Sequence, residues 1–258
     1  MSVTMSCHFH APVVSGEQGM AQIEVYHADA EAIRFEQREA VLSGSEAHHL
    51  LRVRRGKPGD VIRVVDGAGN AYEGRLRSVE GEQARIELTS HESNWNEPPA
   101  PLHLGCGLLK GDAMFQALDH AVQGGATAVT PLSSRYSIAK WNEKKHARGR
   151  RVLHAGMKQC GRGLCPTLHP AKPYHEWCIE QAEAGIRVLF DQDGDDLPDL
   201  SDAGTVSVAI GPEGGFSTQE VDRFVEQGFR LVRLGPRRLR AETSVIAALA
   251  VMRDVSGR

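Results

Sequence analysis

From about Ile33 to Thr89 the chain alternates short apolar and polar runs, interrupted by glycine and charge. Val61 to Val65, Ala71 to Val79 and Ala84 to Leu88 carry the two-residue period of half-buried strands and predict a small antiparallel sheet or barrel. Asp66 to Asn70 supplies a turn between two of them, because Gly67, Gly69 and Asn70 tolerate positive φ. Gly44 to Leu51 predicts a short capped helix crossing between strands. The prolines within residues 94–101 disfavour both helix and central strand, which places a linker there. Beyond Pro101 the rhythm becomes strand then helix. Strands are predicted at Leu102 to Leu108, Thr127 to Pro131, Arg187 to Asp191, Val206 to Gly211 and Phe229 to Leu234. Helices are predicted at Asp112 to Gln123, Trp141 to Gln159, Thr218 to Gln227 and Glu242 to Met252. Such alternation implies an α/β domain with a mostly parallel sheet, which binds ligands at the carboxyl ends of its strands.

Composition narrows the class. At 258 residues and 41% hydrophobic content the chain can bury a real core, which argues against disorder as the main state. No apolar stretch approaches the roughly 20 residues of a membrane helix. The five cysteines, Cys7, Cys106, Cys160, Cys165 and Cys178, form no CxxC pair, so a disulfide framework is not expected. Met1 to Met20 lacks the basic and apolar regions of a secretory signal and reads as an extension, which makes a cytoplasmic setting the simplest expectation. Cys7, His8 and His10 lack a fourth ligand, and no metal site is expected.

The formal charge of −3 hides a strong asymmetry. Between Arg135 and Arg162 stand nine cations and only Glu143 as an acid, a net charge of +8. Arg52, Arg54, Arg55 and Lys57 form a second cluster, and Arg230, Arg233, Arg237, Arg238 and Arg240 a third. Six aspartates between Asp191 and Asp202 help to bring the total back below zero. Any one cluster reads as a solvated face, whereas three on two domains favour a polyanionic partner.

Two loops carry the candidate chemistry. Ile210-Gly211-Pro212-Glu213-Gly214-Gly215-Phe216 leaves a predicted strand and leads into a helix, and its glycines let backbone approach a ligand without Cβ interference. Leu234 to Ser244, with Gly235, Pro236 and several arginines, repeats the arrangement, and Glu242 falls in the first turn of the last helix. Gly105 to Gly111 fails the dinucleotide spacing because Lys110 stands where the third glycine belongs, and no P-loop sequence occurs.

Gly211-Pro-Glu-Gly-Gly215, followed by Leu234-Gly235-Pro236 and Leu239-Arg240-Ala241-Glu242-Thr243, resembles the RsmE family of 16S ribosomal RNA (uracil-N3)-methyltransferases of the SPOUT superfamily. Asp112 to Pro131, Arg135, Gln159 to Pro166 and Glu46 to Val53 extend the likeness over most of the chain. The resemblance implies an N-terminal PUA-like β-barrel (residues 21–93, after an extension at 1–20) and a linker at 94–101. It further implies a SPOUT α/β domain with a C-terminal trefoil knot at 102–258. It implies S-adenosylmethionine held by Ile210, Gly211, Pro212, Glu213, Gly214, Gly215, Leu234, Gly235, Leu239, Arg240, Glu242 and Thr243. The implied target is the uridine at position 1498 of 16S ribosomal RNA, free or in the small subunit, and the implied assembly is a homodimer.

This chain departs from the family pattern at His120, Gln123, Arg238, Ala241 and Ser244. For N3 methylation, Arg240 is the candidate for stabilising the uracil anion. Glu242 and Glu213 are candidate bases, a structural role at their own loops being the competing reading. Arg52, Arg54, Arg55, Arg135, Arg148, Arg150, Arg151 and Arg162 are the candidate RNA contacts. His48 and His49 read as one core and one exposed histidine. The competing functions are a non-catalytic RNA-binding assembly factor, favoured by Gln123 and Ala241, and a related enzyme acting at another RNA position.

Overall fold

The computed structural model describes residues 24–196 and 204–256. The expected N-terminal extension with Cys7, His8 and His10, and the aspartates Asp199 and Asp202, lie outside the described residues.

The first unit is a curled six-stranded sheet built from β1 (Val25–His27), β2 (Ile33–Arg34), β3 (Glu39–Leu42), β4 (Val61–Val65), β5 (Asn70–Glu80) and β6 (Gln83–Ser93), in the order β1-β4-β5-β6-β3-β2. Every pairing is antiparallel except β1 with β4. Bulges between Glu73 and Gly74 and between Leu76 and Ser78 bend the two long strands. Tyr26, Leu42, Leu50, Ile62, Leu76, Ile86 and Leu88 fill the hollow side. The helix α1 (Gly44–His48) runs directly into a π-helical turn at His49–Val53. Ala47 and Leu50, three residues apart, take the buried face of that segment, which turns both His48 and His49 outward. The expectation of one core histidine is thereby corrected.

The Asp66 turn forms as its composition predicts and acquires a second task. Asp66 Oδ1 accepts from the Ala68 and Asn70 amides at 2.8 and 3.1 Å, with Gly67 and Gly69 at φ 73° and 105°. The turn docks on the second unit: Gly69 N–H donates to Gly163 O at 3.0 Å, and Cys165 N–H to Gly67 O at 2.9 Å.

The second unit is a parallel sheet of β7 (Leu102–Gly107), β8 (Ala128–Ser133), β9 (Thr167–Leu168), β10 (Lys172–Pro173), β11 (Ile186–Asp195), β12 (Val206–Ile210) and β13 (Arg230–Val232), ordered β10-β8-β7-β12-β11-β13 with β9 also on β8. Its central strands β7, β8 and β12 are buried on both faces. Leu104, Val188 and Val208 face a core shared with α2 (Ala113–Gln123), α3 (Glu143–Cys160) and α6 (Ala241–Ser256). Leu189 and Ala209, one position along, face the opposite cluster with Trp177 of α4 (Tyr174–Glu180) and Phe224 of α5 (Thr218–Glu226).

The helix predicted from Trp141 begins at Glu143 because the Asn142 side chain caps it, accepting from Lys145 N–H at 3.0 Å. It ends where Gly161 turns left-handed at φ 71°. The strand β11 outruns its expected end at Asp191, since Gly194 lets the chain lie against Val232; a Cβ there would stand 2.5 Å from the Val232 carbonyl carbon.

The last connection positions the site. The strand β13 lies at the sheet edge beside β11, yet α6 packs on α2 and against β12 and β7. The intervening loop therefore passes back across the carboxyl ends of β11 and β12, the kind of crossing that a knotted C-terminus requires. Gly124 allows the close approach of α6, since a Cβ there would meet the Leu249 Cβ at 2.7 Å. No described helix is long and apolar enough to cross a membrane.

Candidate active site

The middle of β11 and the loops that follow β12 and β13 line a cavity of about 730 Å³, within the usual range for small-molecule sites. Eleven of the twelve residues expected to hold a cofactor line it: Ile210, Gly211, Pro212, Glu213, Gly214, Gly215, Leu234, Gly235, Leu239, Arg240 and Glu242. Thr243 does not. It is exposed, and the neighbouring Ser244 lines the cavity instead while its hydroxyl donates to Arg240 O at 3.1 Å. The segment from Phe190 to Gln192 also lines the cavity, although the sequence pattern did not single it out, as does Phe216 at the end of the first glycine loop, which was not among the expected cofactor contacts. The available signal for the former was a predicted buried strand running into the aspartate-rich segment.

Glycine is required where these loops meet. A Cβ at Gly107 would lie 2.4 Å from Pro212 N, so β7 ends against the glycine loop only because position 107 has no side chain. Gly215, at φ 70°, closes the turn with its N–H on Pro212 O at 2.8 Å. The capping box at the start of α5 then fixes the exit: Glu220 accepts from Ser217 N–H at 2.8 Å and from the Arg135 amide at 2.8 Å, and is itself buried.

The charged groups fall into distinct roles. Glu213 Oε1 accepts from Lys110 N–H at 2.8 Å, fastening the glycine loop to the segment before α2, and Arg238 donates to Glu213 O at 3.1 Å. Glu242 is half-buried in the first turn of α6, and its carbonyl accepts from His120 Nδ1 at 2.8 Å. His120, one of the departures from the family pattern, thus helps to position the last helix. Gln123, another, donates to Asp119 Oδ2 at 2.8 Å on the exposed side of α2 and does not line the cavity. Cys106 is fully buried: desolvation first, then the negative charge of Glu213 and Glu242, pushes its thiol up to about 12. It stays protonated at neutral pH and is no nucleophile. No cluster of ligating side chains suited to a metal occurs among the described residues.

The candidate RNA contacts divide. Arg52, Arg54, Arg55, Arg135, Arg148, Arg150 and Arg151 are exposed. Arg54 pairs with Glu24 at 2.7 Å, and Arg148 pairs with Asp112 at 2.9 Å while lying over the Phe115 ring. Arg162 is corrected. It is 4% exposed and grips Glu97 together with the Val122 and Ala126 carbonyls at 2.8 and 2.9 Å, so it cannot reach a phosphate. In the third cluster Arg233 pairs with Asp196 at 2.9 Å.

A curled β-sheet unit joined to a parallel α/β unit, with a cofactor-sized cavity under a returning C-terminal loop, has the architecture of an enzyme that binds a small-molecule cofactor. Residues 96–253 match the family model described as an RNA methyltransferase domain, and residues 42–89 match one described as an RNA methyltransferase PUA domain. The chain belongs to this RNA methyltransferase family, as the glycine loops indicated. It is 26% identical to the ribosomal RNA small subunit methyltransferase E of Bacillus subtilis, over 82% of this chain and 88% of that one. It is 28% identical to the protein of the same name from Synechocystis, over 81% and 71% respectively. Among solved structures, the ribosomal RNA small subunit methyltransferase E of Neisseria gonorrhoeae, bound to S-adenosyl methionine, superposes with a TM-score of 0.81 at 28% identity, covering 91% of this chain and 98% of that one.

Proposed function

We propose that this protein transfers a methyl group from S-adenosylmethionine to N3 of a uridine in 16S ribosomal RNA, the uridine at position 1498 being the target that the family resemblance implies. The observation that carries the reading is the convergence of both glycine-proline loops on one cavity, in a fold whose relative from Neisseria gonorrhoeae was solved with S-adenosyl methionine.

The residues present fit such a group. Phe190, Ile210, Phe216, Leu234 and Leu239 offer apolar walls for a purine, and Asp191, Glu213, Glu242 and the arginines 237, 238 and 240 offer polar groups for the sugar and the amino-acid end. When bound, the cofactor supplies an electrophilic methyl. Uracil N3 carries a proton at neutral pH and sits on the pairing edge, so the base must be exposed and its proton removed. Arg240, exposed at the cavity, is the proposed group for stabilising the uracil anion. Glu242 is the better candidate for taking the proton, because Glu213 is already committed to the Lys110 amide. The exposed arginines Arg52, Arg55, Arg150 and Arg151 are proposed to hold RNA phosphates. A homodimer acting in the cytoplasm on 16S ribosomal RNA or the small subunit completes the proposal. The non-catalytic reading loses one of its two supports, since Gln123 lies away from the cavity.

Calorimetric titration with S-adenosylmethionine is expected to show binding, and 16S ribosomal RNA from a deletion strain is expected to lack N3-methyluridine by mass spectrometry. Absence of heat would sink the enzyme reading; an unchanged nucleoside in the deletion strain would redirect the activity to another RNA position.

A further inference from the structure

The turn that follows β8 presents an aromatic ring that the core does not use. Tyr136 is 46% exposed and Ile138, two residues further on, is 73% exposed. The turn beneath them is nevertheless firmly held. Ser137 N–H donates to Ser134 O at 3.1 Å, Ser134 N–H donates to Ser137 Oγ at 3.1 Å, and the Arg135 amide is anchored at 2.8 Å on the buried carboxylate of Glu220. That same carboxylate accepts from the Ser217 amide just after the glycine loop, so turn and loop are fixed to each other. Tyr136 abuts the loop itself: a Cβ at Gly214 would lie 3.0 Å from the Tyr136 Cβ. The Arg135 guanidinium stands 5.8 Å from the Tyr136 ring centroid and adds a cation on the same exposed face.

An exposed ring on a rigid turn, backed by arginine and adjoining the cavity rim, has the chemistry of a platform for an unstacked base. A ring is sequence-tolerant and flat, and it loses little entropy when its backbone is already pinned. We infer that Tyr136 is a positioning residue that stacks on an unpaired pyrimidine of the RNA substrate at the mouth of the cavity, with Arg135 holding the adjoining phosphate. The inference rests on the RNA methyltransferase reading above and adds to it the group that receives the base once it has left the RNA stack.

The test compares a 16S ribosomal RNA fragment spanning the target uridine with the same fragment abasic at that nucleotide, binding each to the full-length wild-type protein, Tyr136→Ala and Tyr136→Phe. Stacking of this kind predicts that Tyr136→Ala weakens binding of the base-bearing fragment about tenfold. The abasic fragment and S-adenosylmethionine should bind Tyr136→Ala as they bind wild type, and Tyr136→Phe should restore the base-dependent difference. Equal weakening for both fragments, a change of molar mass by light scattering, or no effect on either fragment overturns the inference. Failure of the underlying reading is separate: it shows as wild-type protein that binds no S-adenosylmethionine, whereas the base-dependent comparison reports on Tyr136 regardless.

Discussion

Arg162 and Glu97 form a two-pronged ion pair at 4% and 7% side-chain exposure, with Arg162 Nε 3.1 Å from Glu97 Oε2 and the Leu164 amide donating to Glu97 Oε1 at 2.9 Å. The pair fastens the segment that precedes β7 to the end of α3, close to where the Asp66 turn also docks. Removing Glu97 leaves a buried cation, and removing Arg162 leaves a buried carboxylate and the Val122 and Ala126 carbonyls without their donor. Glu97→Ala or Arg162→Ala is therefore expected to cost on the order of 3–5 kcal/mol by denaturant unfolding. A cost below about 1 kcal/mol would return Arg162 to the surface and to the RNA.

The approach of β7 to the glycine loop gives a second expectation. Gly107→Ala places a methyl group 2.4 Å from Pro212 N, against backbone that cannot swing aside. The loop must shift, and affinity for S-adenosylmethionine should fall by about tenfold or more, a misplacement of roughly 1 Å sufficing for losses of that size. Gly204→Ala, at a position with open space around it, serves as the control and should bind as wild type does.

Much of the architecture was legible in the sequence. The strand Val61–Val65 and the helix α2 followed from periodicity, and both cavity loops followed from glycine and proline after buried strands. What escaped was set by tertiary contact. The burial of Arg162 depends on Glu97, which is 65 residues away in sequence, and a cation in a basic run carries no local sign of being sequestered. The doubling of β11 on Val232 likewise arises from a packing partner that no local pattern names. That Ser244 rather than Thr243 meets the cavity depends on helix phase, which at a first turn cannot be fixed to one residue from sequence.

Acid should loosen the junction between the units. His27 and His154 meet ring to ring at 4.6 Å, beside the ion pair of Glu46 with Lys158. Burial, then the charges of His27 and Lys158, lowers the His154 pKa below 6.5, with Glu46 and Asp29 opposing. A lowered pKa means that the folded protein binds fewer protons than the unfolded chain. The stabilisation is full above pH 6.5 and is lost as pH falls through the folded value. Denaturant midpoints should drop between pH 7 and pH 5, and by less in His154→Gln; an identical drop in that variant places the sensitivity elsewhere.

Salt dependence separates the cations that meet RNA from those held inside the protein. Arg150 and Arg151 are exposed on α3, whereas Lys158 and Arg162 of the same run are paired with Glu46 and Glu97. Neutralising Arg150 and Arg151 is expected to weaken RNA binding and to reduce the slope of log affinity against log salt by about one for each phosphate that is no longer neutralised. An unaltered slope in a filter-binding series would make the α3 surface a solvated face.

The roles of Glu213 and Glu242 can be separated by amide substitution, because glutamine keeps a hydrogen-bond acceptor and removes a base. In Glu213→Gln the side-chain carbonyl can still accept from the Lys110 amide, so the loop should hold and both cofactor affinity and turnover should stay within about threefold of wild type. Glu213→Ala severs that bond and should weaken the cofactor. Glu242→Gln leaves the His120 bond intact, since that bond is made to the Glu242 carbonyl, and therefore tests the carboxylate alone. If Glu242 takes the N3 proton, turnover falls by about a hundredfold or more while cofactor affinity changes far less, and activity returns in part at higher pH as the uracil ionises by itself. Single-turnover kinetics across pH would read this directly. The opposite pattern, turnover lost in Glu213→Gln and kept in Glu242→Gln, would assign the proton to Glu213 and leave Glu242 as the residue that anchors the last helix.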